Sequence, residues 1–192
     1  MGREILSAYG ARLRRAAKEA VPALMDGVAL RRNAAATVFG AAAGLTIAAL
    51  ARHQRRRPDD REAARSVIEK SGHVADVVAP ALAVRAHLAD PRLDPRLGGL
   101  FGDAGPLLVA WLAEVTGAPP ERLANALAAS VPLALGALRA TAPTDQLPNA
   151  LSEVPDGVLS EPARLLDPAT PCGRAFRQVR RGGLPLLVRW RG

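Results

Sequence analysis

The side chains that most often do chemistry are few and scattered here. His53, His73 and His87 form no His-x-x-x-His pair and have no carboxylate at ligand spacing, so no zinc site is expected. Cys172 is the only cysteine; it excludes an internal disulfide and a cysteine-based metal cage, and fits a reducing compartment. No Gly-x-Ser-x-Gly elbow presents a serine nucleophile. Gly98-Gly99-Leu100-Phe101-Gly102-Asp103-Ala104-Gly105 stands before a helical pattern, as a phosphate-binding turn would. It lacks a Gly-Lys-Ser/Thr ending and a preceding strand, so a turn with Asp103 as N-cap is the simpler reading. Asp90 and Asp94 could face one another, but each opens an Asp-Pro-Arg-Leu turn. No catalytic residue, cofactor, metal ligand or small-molecule substrate is expected, and the chain reads as non-enzymatic.

What remains is a chemistry of surfaces. Arg outnumbers Lys 24 to 2, and the charge is partitioned: residues 1–57 carry a net +8, 58–172 a net −6, and 173–192 a net +6. Basic ends around an acidic middle point to anionic partners or to self-association between unlike regions. The C-terminal stretch interleaves Arg177, Arg180 and Arg181 with Leu186 and Trp190, a composition suited to an acidic protein face or an anionic membrane. Nucleic acid is less favoured, because aromatic stacking platforms and a known binding motif are missing.

These residues must be positioned by helices. The apolar fraction is 49% but aromatics are 3%, so Ala, Leu and Val must fill the core, and small side chains favour close helix-to-helix approach. Residues 3–20 place Ile5, Tyr9 or Ala8, Leu13, Ala16 and Ala20 on one stripe, and Pro22 bends or restarts that helix. The first fifteen residues already hold Arg3, Glu4, Arg12, Arg14 and Arg15, so no signal peptide is expected. Asn33 is the expected N-cap of the next helix. Residues 34–51 then run for eighteen positions without a charge. Only Val38, Phe39, Leu45, Ile47 and Leu50 are strongly apolar, offering about −1.5 to −3 kcal/mol toward membrane insertion. A buried helix is therefore preferred to a membrane span, and Gly40 and Gly44 would let a neighbour approach closely.

Charged connecting helices over 59–89 follow, the second bent at Pro80. Residues 104–116 carry Leu108, Trp111, Leu112 and Val115 on one face at helical spacing, a candidate interaction surface. Gly117 suits a left-handed C-cap and Pro120 the first turn of the next helix, which Pro132 bends. Residues 12–22 echo 122–132 at an offset of 110, with five of eleven positions identical, which implies pseudo-repeats over about 1–57 and 98–140. Residues 141–172 hold six prolines and read as a linker or strap, with short helical turns near 147–153 and 158–166.

Two stretches carry a resemblance. Val21-Pro22-Ala23-Leu24 through Arg32-Asn33 to Ala48-Ala49-Leu50-Ala51-Arg52-His53-Gln54 is one; Gly99-Leu100-Phe101-Gly102-Asp103, Thr116-Gly117 and Val131-Pro132-Leu133 with Leu135-Gly136-Ala137-Leu138 is the other. Over about 8–140 the chain resembles an uncharacterised family of bacterial helical-repeat proteins related to the YidB-like domains. The charged, proline-punctuated 59–97 departs from that family's pattern. The resemblance implies an all-helical fold, assigns no enzymatic activity and transfers no site residue.

The expectation is an all-α, Ala-rich bundle of proline-bent helices over 1–140, a Pro-rich strap over 141–172 and a basic tail over 173–192. The expected work is protein interaction or self-assembly, as a homo-oligomer or with a partner bearing an acidic face. Membrane association through 34–51 and the C-terminus is the alternative, and a nucleic-acid-binding module the second alternative. The cytoplasm is the expected compartment, free or against a membrane.

Overall fold

The computed structural model describes residues 2–56, 63–89, 99–141 and 146–184. Among the described residues the chain is all-α, without a strand. Its helices are α1 (Gly2–Val28), α2 (Arg32–Arg56), α3 (Ala63–Ser71), α4 (Val74–Val78), α5 (Pro80–Ala89), α6 (Gly105–Thr116), α7 (Pro120–Thr141), α8 (Leu147–Ser152) and α9 (Pro171–Gly183). Two 3-10 turns, Gly102–Ala104 and Pro162–Leu166, join them.

The architecture follows from α2. A helix that is apolar on every side has no face to offer water, so it is stable only when enclosed. Every residue from 34 to 51 is buried. The enclosure is built by α1, α3, α6, α7, α8, α9 and the 162–166 turn, which all pack on α2. Among the described residues two helices, α2 and α7, are long and apolar enough to cross a membrane, and 100% and 78% of their apolar windows lie inside the bundle.

On α1, Ile5, Tyr9, Leu13, Ala16 and Ala20 turn inward while Ala8 is exposed, so the stripe runs through Tyr9. The Tyr9 hydroxyl donates to the Ala43 carbonyl at 2.9 Å, tying α1 to the middle of α2 and satisfying a phenol that would otherwise be stranded. Helix α1 closes at Ala29 with a left-handed φ of 52°, and the Ala29 carbonyl accepts a hydrogen bond from Arg122 Nη1 at 3.0 Å. Gly117 adopts φ 67° and donates to the Ala113 carbonyl, a left-handed cap that lets α6 stop and Pro120 open α7.

Two expected caps are different. Helix α2 begins at Arg32, and the Asn33 side chain accepts from Arg180 Nη2 at 2.8 Å instead of capping. Asp103 lies within the 3-10 turn, and the N-cap position of α6 is Ala104, which makes no side-chain cap bond.

Pro22 and Pro132 lie inside helices that continue past them. The helix expected over 74–89 is instead divided into α4 and α5 at Ala79, with Pro80 as the first residue of α5. The offset of 110 that pairs α1 with α7 also sets α2 against 142–166. The described part of that stretch holds only α8 and a 3-10 turn, so beyond the proline-bearing helices the two stretches differ.

The strap over 146–166 is laid down by Leu147, Ala150, Leu151, Val154, Val158, Leu159 and Leu165, all buried in the common core. The expected basic tail departs most from the sequence reading. Through Gly183 it is helix α9, whose Cys172, Ala175, Phe176 and Val179 belong to the same core as α1, α2 and α7. It lies against α1 and α2 together. The packed helical body thus includes 146–184 and does not end at 140.

Candidate functional site

The residues singled out in the sequence separate into three groups. Leu108 and Leu112 are fully buried in the protein's own core, Trp111 is half-buried and Val115 is 46% exposed. The stripe expected to meet a partner is therefore half consumed internally. Gly40 and Gly44 face α9: a Cβ added at Gly40 would lie 2.8 Å from the Phe176 carbonyl oxygen, and one at Gly44 would lie 2.8 Å from that of Cys172. The neighbour these glycines admit is the chain's own C-terminal helix. Arg177 and Arg181 are exposed and Arg180 is half-buried. Leu186 and Trp190 lie outside the described residues.

Helix α9 presents two chemically opposite faces because of its spacing. Cys172, Ala175, Phe176, Val179 and Gly183 recur at helical intervals and are buried. Arg174, Arg177 and Arg181 fall between them at i, i+3 and i+7 and are exposed, so one side of the helix is a row of guanidinium groups. Thr170 caps its start, its hydroxyl oxygen accepting from the Gly173 amide at 2.9 Å.

The seam brings more cations to the end of that row. Gly182 rests against the backbone and side-chain stem of Arg14, and Gln178 against Gly10, so α1 runs alongside. Lys18 stands one turn beyond Arg14 and is exposed. From α2, Arg32 Nε donates to the Gly183 carbonyl at 3.1 Å, and Arg31 beside it is exposed. Arg180 is fixed by Thr37 Oγ1 at 3.1 Å and by Asn33.

Arg174 and Arg177 also donate to backbone carbonyls, of Ala169 and Leu166 at 2.6 and 2.8 Å. Those bonds orient the guanidinium groups and offset the carbonyl dipoles of the turns, but they do not neutralise charge. None of Arg14, Lys18, Arg31, Arg32, Arg174, Arg177, Arg180 and Arg181 is ion-paired among the described residues.

A second arginine cluster behaves differently. At the C-terminal end of α2, Arg52, Arg55 and Arg56 line a cleft of about 200 Å3 with 155–160. Arg55 is paired with Asp156 and bonded to the Val154 carbonyl. Arg52 donates to the carbonyls of Phe101 and Leu100 at 2.8 and 3.3 Å. Burial, then Arg56, lower its pKa. Through Arg52 and Arg55 this cluster latches the 99–101 segment and the strap onto α2.

Two further features had little or no sequence signal. His87 and Asp76 meet at 2.9 Å across the α4–α5 break, both largely buried. An apolar cleft of about 330 Å3 sits against Val131, Pro132 and Leu135, with Lys70, Ser66 and Ser71 among its lining residues. Among the described residues no three His, Cys, Asp or Glu side chains gather to hold a metal ion.

No family model matches the chain, and neither a curated protein nor a solved structure matches it. The resemblance to YidB-like helical proteins therefore rests on the sequence motifs alone.

Proposed function

We propose that the chain is a non-enzymatic docking protein whose face on α9, flanked by α1 and the first turn of α2, takes an anionic partner surface. One observation carries this reading. A helix seated in the core by one side displays Arg174, Arg177 and Arg181 on the other, beside Arg14 and Arg32, and no carboxylate among the described residues answers them. Unbalanced like charges repel one another, and a surface that keeps them ordered is suited to a partner that supplies the opposite sign.

The test compares two variants of equal charge change. Arg174→Glu/Arg177→Glu/Arg181→Glu alters the proposed face; Arg85→Glu/Arg122→Glu/Arg164→Glu alters exposed arginines elsewhere. On immobilised poly-glutamate the face variant should elute at clearly lower salt than the control. Equal elution of the two would refute the reading.

Self-association is a second reading, supported by α6. Leu107 and Val115 are each 46% exposed on a helix with a single charged residue, Glu114, and a second copy of this chain would cover them. Light scattering of wild type and Leu107→Ser/Val115→Ser distinguishes it: a monomer for both removes this reading.

A further inference from the structure

The apolar cleft of about 330 Å3 lies between α3, the 99–101 segment and α7. Ligand pockets run from about 300 to 1,000 Å3, so its size suits a small molecule. We infer that it takes an aliphatic carboxylate, with the chain between α3 and α7 and the head on Lys70. The cleft shares no residue with the arginine face of α9, so the docking reading does not bear on it.

The cleft opens beside a point where two elements are pressed together. A Cβ added at Gly72 would lie 2.8 Å from the Leu135 carbonyl oxygen, and Gly136 lies against the His73 backbone. These glycines carry no side chains of their own, so the end of α3 comes close to α7. Toward the start of α3, Ser66, Val67 and Lys70 look across open space to Val131 and Pro132. Pro132 offers an apolar ring and no amide.

Both walls are held before any ligand arrives. Arg139 Nη1 donates to the carbonyls of Glu69 and Gly72 at 3.2 and 3.0 Å, tying α3 to α7. Arg52 holds the carbonyls of Leu100 and Phe101 from α2. A preformed site loses less ordering entropy on binding.

The polar side of the cleft selects the head. Thr116, Ser130 and Thr141 each turn their hydroxyls back to the carbonyl four residues earlier. The half-buried Ser66 and Ser71 hydroxyls make no hydrogen bond among the described residues. Lys70 stands one turn from Ser66 on the same side of α3. The carboxylate next to it in sequence, Glu69, pairs with Arg65 at 2.7 Å, and Arg139 already takes carbonyls at the end of α3. Lys70 is therefore left without an ion pair among the described residues. One ammonium and two hydroxyls beside an apolar wall fit a head that accepts several hydrogen bonds and carries one negative charge. A cationic or neutral head makes no use of the ammonium, and a doubly charged phosphate would call for more than one cation.

The test is isothermal titration calorimetry of the full chain with octanoate, octan-1-ol, octyltrimethylammonium and octyl phosphate. Octanoate should bind at one site, octan-1-ol about fivefold more weakly, and the cation not at all. Lys70→Met keeps the apolar stem and should weaken octanoate by about fivefold while leaving octan-1-ol unchanged. Val67→Phe grows into the cleft and should abolish binding of both, whereas Leu107→Ser on exposed α6 should alter neither. Lys70 is exposed, so Lys70→Met stays informative even where Val67→Phe fails to fold, which circular dichroism checks. Absence of octanoate binding overturns the inference. Equal binding of octanoate and octan-1-ol, or indifference of octanoate to Lys70→Met, overturns it as well. Tighter binding of octyl phosphate overturns the carboxylate head.

Discussion

Helices α6 and α9 are of similar length and nearly inverted in character. The first, Gly-Pro-Leu-Leu-Val-Ala-Trp-Leu-Ala-Glu-Val-Thr, has one charge; the second, Pro-Cys-Gly-Arg-Ala-Phe-Arg-Gln-Val-Arg-Arg-Gly-Gly, has four arginines. Yet α6 lies at the periphery with only Leu108 and Leu112 buried, whereas α9 buries seven residues between α1 and α2. Hydrophobicity of a segment did not decide its depth. Depth was decided by the receiving surface: Gly40 and Gly44 on α2 and Gly10 on α1 carry no side chains of their own, so α9 comes close enough for many weak dispersion contacts to accumulate.

The most disruptive way to break this contrast is to fill the seam. Gly40→Val/Gly44→Val would force backbone atoms of α9 outward and should cost about 4 kcal/mol in total, since overpacking costs about 1–3 kcal/mol per site. Ala110→Val on the exposed side of α6 should change stability by less than about 0.5 kcal/mol. Urea unfolding measures both; similar effects at the two helices would remove the distinction.

Truncating the core anchors sharpens it. Phe176→Ala in the Arg-rich helix should cost about 3 kcal/mol, and Leu112→Ala in the apolar one about 2 kcal/mol, because α6 can shift toward solvent to relieve the cavity. A larger loss at Leu112 would indicate that α6, not α9, is the firmer element.

The seam also predicts sensitivity to alkali. Burial, with Cys172 second, holds the Tyr9 phenol well above its ordinary pKa. Burial pushes the Cys172 thiol up to about 12, against the opposing influence of Arg55, its own backbone hydrogen bond and Arg174. Both groups are neutral in the fold and ionise more readily in the unfolded chain. The unfolded state therefore loses protons first as pH rises, and stability that is complete below about pH 8 falls above about pH 9, at about 1.4 kcal/mol per unit for each group. Denaturant midpoints should drop by the equivalent of about 4 kcal/mol by pH 11, and Cys172→Ala should delay the onset toward the tyrosine range. A flat profile in wild type would mean that α9 does not seal these groups. Last in size, Thr170→Ala removes the α9 cap and should cost about 1 kcal/mol, read as a thermal shift.

Much of this fold was legible. The charge-free run 34–51 favours a buried helix over a membrane span, and Gly117 with Pro120 marks the end of one helix and the start of the next. The depth of α9 was not legible from composition, because Arg-rich sequence resembles a solvated tail. Its periodicity did hold the signal: Cys172, Ala175, Phe176, Val179 and Gly183 form an inward stripe opposite Arg174, Arg177 and Arg181. Gly40 and Gly44 announced a close neighbour without naming it, since sequence shows a small-residue face but not the distant segment that fills it. Arg14 and Arg32 joined the candidate face only through tertiary packing. The His87–Asp76 pair spans an interrupted helix, where regular spacing is no guide.

Native-state hydrogen exchange, resolved by helix, tests the central claim most directly. Amides of α9 from Ala175 to Val179 should be protected to the same level as those in the middle of α2, with α6 exchanging sooner. Exchange of α9 ahead of α6 would contradict it, returning the Arg-rich helix to the surface and leaving its cations without a fixed face.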